Sequence, residues 1–261
     1  MSLQAAYRGP NKSGKTTAAL SWPNPVLFDF DLRTEGVSPD VMSKVIAHHR
    51  FGVPISIPKS GNRPGVVKIL QGWREQYDAF LIKYQEVLKD SKVDSIVLDT
   101  ATQMRQMVNQ SYLQELQEAR PDNPRERLIP IEYTEPNNRL RAIYNAARSA
   151  DKNLILTHYE EEEYKDHIDS KGDVHNVPTG KMLLAGFNKT EGIVDLVIRT
   201  TLEQRDVYDE GGRKTGTKQY VPVGEVLLSG LCLELNGMSL EYPGYDTIAK
   251  WMRVFRPGWQ G

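Results

Sequence analysis

The chain has 261 residues, 39% hydrophobic and 26% charged, with a formal net charge of −1. That length gives one large α/β domain room for a substantial core, and no run of about eighteen apolar residues could cross a bilayer. Near-neutrality is silent on nucleic acid, because a basic stripe can hide inside a balanced total. The single cysteine, Cys232 between Leu231 and Leu233, excludes an intramolecular disulfide and suits a reducing cytoplasm. Residues 1–8 lack the basic start and apolar run of a secretory leader, which also leads us to expect a cytoplasmic location.

Residues 3–7 form a short apolar run and predict a first strand. It leads into Gly9-Pro10-Asn11-Lys12-Ser13-Gly14-Lys15-Thr16, after which residues 15–22 read as a helix stopped by Pro23 and Pro25. Residues 26–31 predict a second strand whose polar end carries Asp29 and Asp31. Ser38 and Pro39 open a helix as cap and first residue. Residues 51–65, with Val53, Ile55 and Ile57 alternating, suggest a short strand and a loop. In 71–89 the residues Trp73, Tyr77, Phe80, Leu81, Tyr84 and Leu88 recur at helical spacing, a stripe better suited to a core than to stacking.

A buried strand at 94–100 and a helix at 102–118 follow. Residues 119–135 are charged and interrupted by proline, a long loop; 137–150 are an amphipathic helix and 153–158 another apolar strand ending in His158. Residues 160–192 are polar without periodicity and read as a second long elaboration. Two strands, 193–208 and 219–228, flank a turn at Glu210-Gly211-Gly212, and a helix over 245–254 ends the chain. Short apolar strands alternating with helices predict a mainly parallel sheet covered by helices on both faces, with a C-terminal β-hairpin. No internal repeat or domain boundary is visible, so one domain over 1–261 is expected, elaborated at 119–136 and 159–192.

The glycine loop fits the phosphate-binding pattern G-x-x-x-x-G-K-[ST] without gaps, and it sits between a strand and a helix as that pattern requires. Backbone N–H groups from Gly9 to Thr17 would meet phosphate oxygens at a helix N-terminus. Lys15 would reach the outer phosphates of ATP, and Thr16 would ligate Mg²⁺. An acid at a neighbouring strand end should hold a Mg²⁺ water, and Asp99 is the candidate. Thr100 follows it, not Glu, so the water-activating carboxylate must come from elsewhere. Asp29 and Asp31 are expected to face opposite sides; Asp31 is favoured, with Asp29 and Glu35 as fallbacks. Ligands gather at the carboxyl ends of parallel strands, so His158 is expected to join Asp31 and Asp99 as a γ-phosphate sensor. The plainer alternative is a strand-end histidine capped by a loop carbonyl. The other histidines, His48 and His49 included, read as surface or loop residues.

Together the glycine loop, residues 25–31, residues 94–100, Glu132-Tyr133 with Asn137-Asn138-Arg139-Leu140, residues 154–158 and the strand Val194-Asp195-Leu196-Val197-Ile198-Arg199 resemble the phage RecA-like ATPases of the single-strand annealing type, which carry a phage nucleotide-binding AAA domain. The resemblance runs from Tyr7 to about Met252. It implies a RecA-like core, ATP and Mg²⁺ bound between protomers of a homo-oligomeric ring or filament, and single-stranded DNA on the two long loops; if the chain is phage-encoded, the expected cytoplasm is the host's. A single-strand DNA-binding protein is a further possible partner. The resemblance also implies a catalytic carboxylate at Asp31, where the family usually has Glu, so weak turnover is expected.

Candidate DNA contacts are Arg120, Arg125 and Arg127 with Tyr133, and Lys165, Lys171, Lys181 and Lys189 with Tyr164 and Phe187. Cations beside aromatics suit phosphate contact and base stacking, although the acids at 160–163 would repel DNA. Arg205, Arg213, Lys214 and Lys218 near the hairpin turn offer a trans-acting finger, against the plainer reading of a solvated tip. The same core would also serve a helicase-like ring motor or a nucleotide-gated assembly module, and an arginine-lined loop keeps a small-molecule kinase open.

Overall fold

Four short apolar strands, each flanked by turn or helix signals, set the order of the sheet. The computed structural model describes residues 2–54, 69–168, 174–187 and 189–259. Along the chain come β1 (Gln4–Arg8), α1 (Lys15–Leu20), β2 (Pro25–Asp29), α2 (Pro39–Met42), β3 (Ala47–Arg50), α3 (Trp73–Lys89), β4 (Ser95–Asp99) and α4 (Ala101–Ala119). After these come α5 (Thr134–Ser149), β5 (Asn153–His158), β6 (Glu160–Ile168), β7 (Val174–Leu184), β8 (Leu196–Tyr208), β9 (Lys214–Ser229), β10 (Ser239–Glu241) and α6 (Tyr245–Phe255).

Eight strands form one sheet in the order β10-β9-β8-β1-β5-β4-β2-β3, and β6 pairs with β7 alone. From β8 to β3 every neighbouring pair is parallel, while β9 runs antiparallel to β8 and β10. This is the α/β, mainly parallel architecture expected, with β8 and β9 as its C-terminal hairpin. Because β1, β5, β4 and β2 run the same way, their carboxyl ends share one edge, where ligands collect.

Side chains alternate across a strand, and the alternation sorts the core into two layers. Ala6, Val26, Phe28, Ile96, Leu98, Leu154 and Leu156 pack against Phe80, Tyr84, Met104, Val108, Leu140 and Tyr144 from α3, α4 and α5. Ala5, Tyr7, Leu27, Val97 and Ile155 pack on the other side against Ala18, Ala19 and Leu20 of α1 and Ile248 and Met252 of α6. The aromatic stripe of α3 is therefore core: the Phe80 ring meets Phe28 and Phe30 edge-on at 5.4 Å each. Trp251 and Phe255 stack at 5.7 Å and lie against the α6 side of the body.

Three expectations need correction. The strand looked for at 51–65 lies one segment earlier, at β3; residues 51–54 are irregular, and 55–68 fall outside the described residues. His48 and His49 thus belong to a half-buried strand, hidden because Ala-His-His-Arg lacks the β-branched residues that mark strands. Residues 160–184 are largely an antiparallel hairpin, not a loop. Its strands are exposed on both faces over most of their length, so no alternation betrays them. The loop after α4 is also shorter than expected, since a 3-10 turn at Pro130–Tyr133 leads straight into α5 at Thr134.

Phe80 has no exposed surface and touches the rings of Phe28 in β2, of Phe30 just beyond it and of Tyr84 one turn along α3. Phe80→Ala should cost about 3–5 kcal/mol through lost transfer energy and the cavity left behind. Denaturant unfolding measures this, and a loss under about 1 kcal/mol would contradict the packing described.

Candidate nucleotide site

At the end of β1 the chain turns through two glycines that no other residue can replace without cost. Gly9 has φ of +154°, and a Cβ there would stand 2.3 Å from the Thr200 carbonyl oxygen. Gly14 has φ of +88°, with Pro222 at 3.3 Å from the same construction. The loop thus closes against β8 and β9, and the Ser13 and Thr200 hydroxyls bond at 2.7 Å to fasten it there.

The Lys15 ammonium folds across this loop, donating to the carbonyls of Gly9 at 2.9 Å and Pro10 at 2.6 Å. Burial lowers its pKa, while Asp99, Glu160 and Asp31 pull it back up. The Thr16 hydroxyl donates to Asp99 Oδ2 at 2.8 Å, and the Thr157 hydroxyl donates to Oδ1. Thr157 and Asp99 reach each other because odd-numbered residues of β5 and β4 face α1. Asp99 is 4% exposed, and burial pushes its carboxyl up to about 6 against the lowering effect of the two hydroxyls.

A cleft of about 720 Å³ lies over the loop, lined by residues 11–17 with Asp31, Glu35, Asp99 and Tyr159. Asp31 therefore reaches the site and Asp29 does not, although not by opposite facing. Positions two apart in a strand share a face, but β2 ends at Asp29 and the chain turns at Leu32, whose φ is +59°. Asp29 is fully buried and accepts from Leu32 N at 2.8 Å and Thr34 Oγ1 at 3.2 Å, with His48 Nε2 at 3.1 Å. Asp31 accepts from Arg33 N through Oδ1 and from the Tyr159 hydroxyl through Oδ2.

His158 is corrected. By the same alternation it faces away from the loop, toward the α4 side, fully buried, with Nδ1 3.1 Å from the Ala185 carbonyl. Burial lowers its pKa to about 4, so the ring is neutral near pH 7. It lines neither the cleft nor the adjoining cavity of about 420 Å³. The residues that do face the site are its neighbours, Thr157 and Tyr159. Strand-end position pointed to this stretch; the pleat, counted from Asp99 and Thr157, was the signal that would have selected them.

The candidate DNA contacts do not converge. Arg120 and Arg127 are exposed after α4, whereas Arg125 is held by Glu132. Lys165 sits 3.7 Å from Glu163, Lys181 and Lys189 are exposed, and Lys171 lies outside the described residues. Glu160, counted among the repelling acids, is buried between Arg199 at 2.8 Å and Arg8 at 3.6 Å. At the β8–β9 tip Arg205 pairs with Glu203 and Glu241, and Lys214 and Lys218 pair with Asp206.

The donors fit a nucleotide with Mg²⁺. The glycine cradle excludes any Cβ, the cleft has the volume of a small-molecule site, and a hydroxyl paired with a carboxylate is the hard-oxygen set that Mg²⁺ takes. The chain belongs to the AAA domain family, whose model matches residues 2–223. Among solved structures it is similar to a KaiC-like protein of the hyperthermophilic archaeon Pyrococcus horikoshii, at 15% identity and a TM-score of 0.44, covering 93% of this chain and 87% of that one. No curated protein matches it. The chain is thus a P-loop NTPase-type protein of the AAA domain family. Among the described residues no helix is long and apolar enough to cross a membrane.

A raised Asp99 pKa means that the fold favours the protonated acid. That contribution is full below the unfolded value and is lost as pH rises through about 6. Asp99→Asn removes the charge, so its stability relative to the wild type should rise by about 1 kcal/mol from about pH 5 to about pH 8 without nucleotide or Mg²⁺. Urea unfolding at both values checks this; a difference independent of pH would contradict it.

Proposed function

We propose that the chain binds ATP with Mg²⁺ and hydrolyses it slowly, and that it acts on single-stranded DNA as a homo-oligomer in recombination or annealing. The observation that carries the nucleotide reading is the glycine cradle, the Thr16–Asp99 pair and the Asp31 carboxylate lining one cleft. Backbone N–H groups of the loop and the Lys15 ammonium hold the phosphates, which requires Lys15 to exchange the carbonyls of Gly9 and Pro10 for phosphate oxygens. Thr16 would hold Mg²⁺ directly and Asp99 through water, a position from which Mg²⁺ would supply Lewis-acid stabilisation of charge on the phosphate oxygens and the leaving group.

Asp31 accepts a proton from the attacking water as the new bond to the γ-phosphorus forms. The bond from that phosphorus to the bridging oxygen breaks, leaving ADP and orthophosphate. A carboxylate one methylene shorter than the usual glutamate supports slow turnover. Lys15→Ala should abolish ATP binding in a fluorescent-nucleotide titration, and unchanged affinity would overturn the site. Asp31→Asn should spare binding and lower kcat about a hundredfold or more; equal turnover would move the base elsewhere.

The DNA reading rests on the resemblance to the phage annealing ATPases and on exposed cations. The exposed Glu161, Glu162 and Asp166 beside Lys165 make the β6–β7 hairpin a poor phosphate ligand, so we assign the contact to Arg120 and Arg127. Fluorescence anisotropy with a labelled single strand should show affinity that needs ATP-Mg²⁺ and falls with salt. Loss of each arginine should reduce the salt slope by about 1. Binding that ignores both arginines would remove this loop, and no binding at any salt would remove DNA.

A further inference from the structure

Tyr159 stands between the two halves of the site and was not singled out by any motif. Its hydroxyl donates to Asp31 Oδ2, and its ring centroid lies 5.5 Å from the Lys15 ammonium. It lines both the cleft over the glycine loop and the cavity beyond it, where Phe30, Gln103 and Val53 form other walls. Burial and the neighbouring Asp31 raise its pKa, so the hydroxyl keeps its proton and acts as a donor.

The main chain of Tyr159 is fixed on both sides. Its N–H donates to Thr102 Oγ1 at 3.2 Å in the first turn of α4, and the same hydroxyl donates to the Ala185 carbonyl at 2.9 Å. The Ala185 N–H returns a bond to the Tyr159 carbonyl at 2.8 Å. The next residue, Glu160, is clamped by Arg199 and Arg8. A side chain leaving so constrained a backbone has few orientations left. Asp31, by contrast, lies beyond the end of β2 on a half-exposed stretch where, among the described residues, its carboxylate is held only by Tyr159 and by the N–H of Arg33.

We propose that Tyr159 is a positioning residue for Asp31: its hydroxyl fixes the carboxylate over the cleft, with the root of the β6–β7 hairpin as the rigid support. This rests on the hydrolytic reading above. A carboxylate has acceptor sites for water as well as for the tyrosine, so the contact orients Asp31 without blocking it. Loss of the hydroxyl leaves the carboxylate free to rotate, and small misplacements of a catalytic group cost rate much more than binding.

The test is steady-state hydrolysis by the full chain, with nucleotide affinity measured separately, for Tyr159→Phe, Asp31→Asn and the double variant. Tyr159→Phe should lower kcat about ten- to a hundredfold with KM, nucleotide affinity and melting temperature unchanged. In the Asp31→Asn background the same change should have no further effect, because groups acting as one unit are not additive. An unchanged kcat in Tyr159→Phe, or an equal loss in both backgrounds, overturns the proposal while leaving the hydrolytic reading intact. A wild type that binds ATP without turnover overturns the hydrolytic reading, and the proposal with it.

Discussion

A buried carboxylate at Asp99 is costly unless donors meet it, and the way it is met decides where the rest of the site lies. Its two oxygens are taken by Thr16 at the start of α1 and Thr157 at the end of β5. One acid therefore joins the glycine loop to two strands, although β5 separates β1 from β4 in the sheet. Shifting β5 by one residue would turn Thr157 to the far face and His158 toward the loop. The register of that one strand fixes both the partner of the acid, Thr157, and the residue two positions beyond Thr157, Tyr159.

The hairpin that follows Tyr159 extends the same logic outward. Its strands are solvated, but its root is anchored by buried groups: Glu160 between two arginines, and the Thr102 hydroxyl bridging Tyr159 to Ala185. His158 belongs to this anchor, since its ring bonds the same Ala185 carbonyl from the core side. Rigid backbone is thus invested where the hairpin meets the nucleotide cleft, and very little is spent on the hairpin itself.

Local signals of the chain reveal most of the sheet and little of the site's second half. The glycine loop, Asp99 and the helices α3 to α5 are legible because each is written in contiguous residues: a spacing, an apolar run, a 3.6 period. β3 and the β6–β7 hairpin are not, since a half-buried polar strand and a strand exposed on both faces carry no burial pattern to read. The choice between His158 and its neighbours fails for a different reason. Strand-end position predicts that a residue reaches the ligand edge, but only the pleat, set by the contact of Thr157 with Asp99, decides which face it takes. Asp29 and Asp31 part company through a turn at Leu32 with positive φ, a conformation that the Asp-Leu-Arg sequence does not announce. Basic residues at 120–127 were visible as charges, yet the pairing of Arg125 with Glu132 is a property of the fold.

On the proposed function, the Gly9–Thr16 cradle and the Thr16–Asp99 pair form a nucleotide site completed by Mg²⁺. Isothermal titration calorimetry of the wild-type chain with ATP, in Mg²⁺ and then in a chelator, tests it most directly. One site per chain is predicted, with affinity about tenfold or more weaker without the ion. No heat of binding in Mg²⁺, or an affinity indifferent to the metal, would contradict the claim.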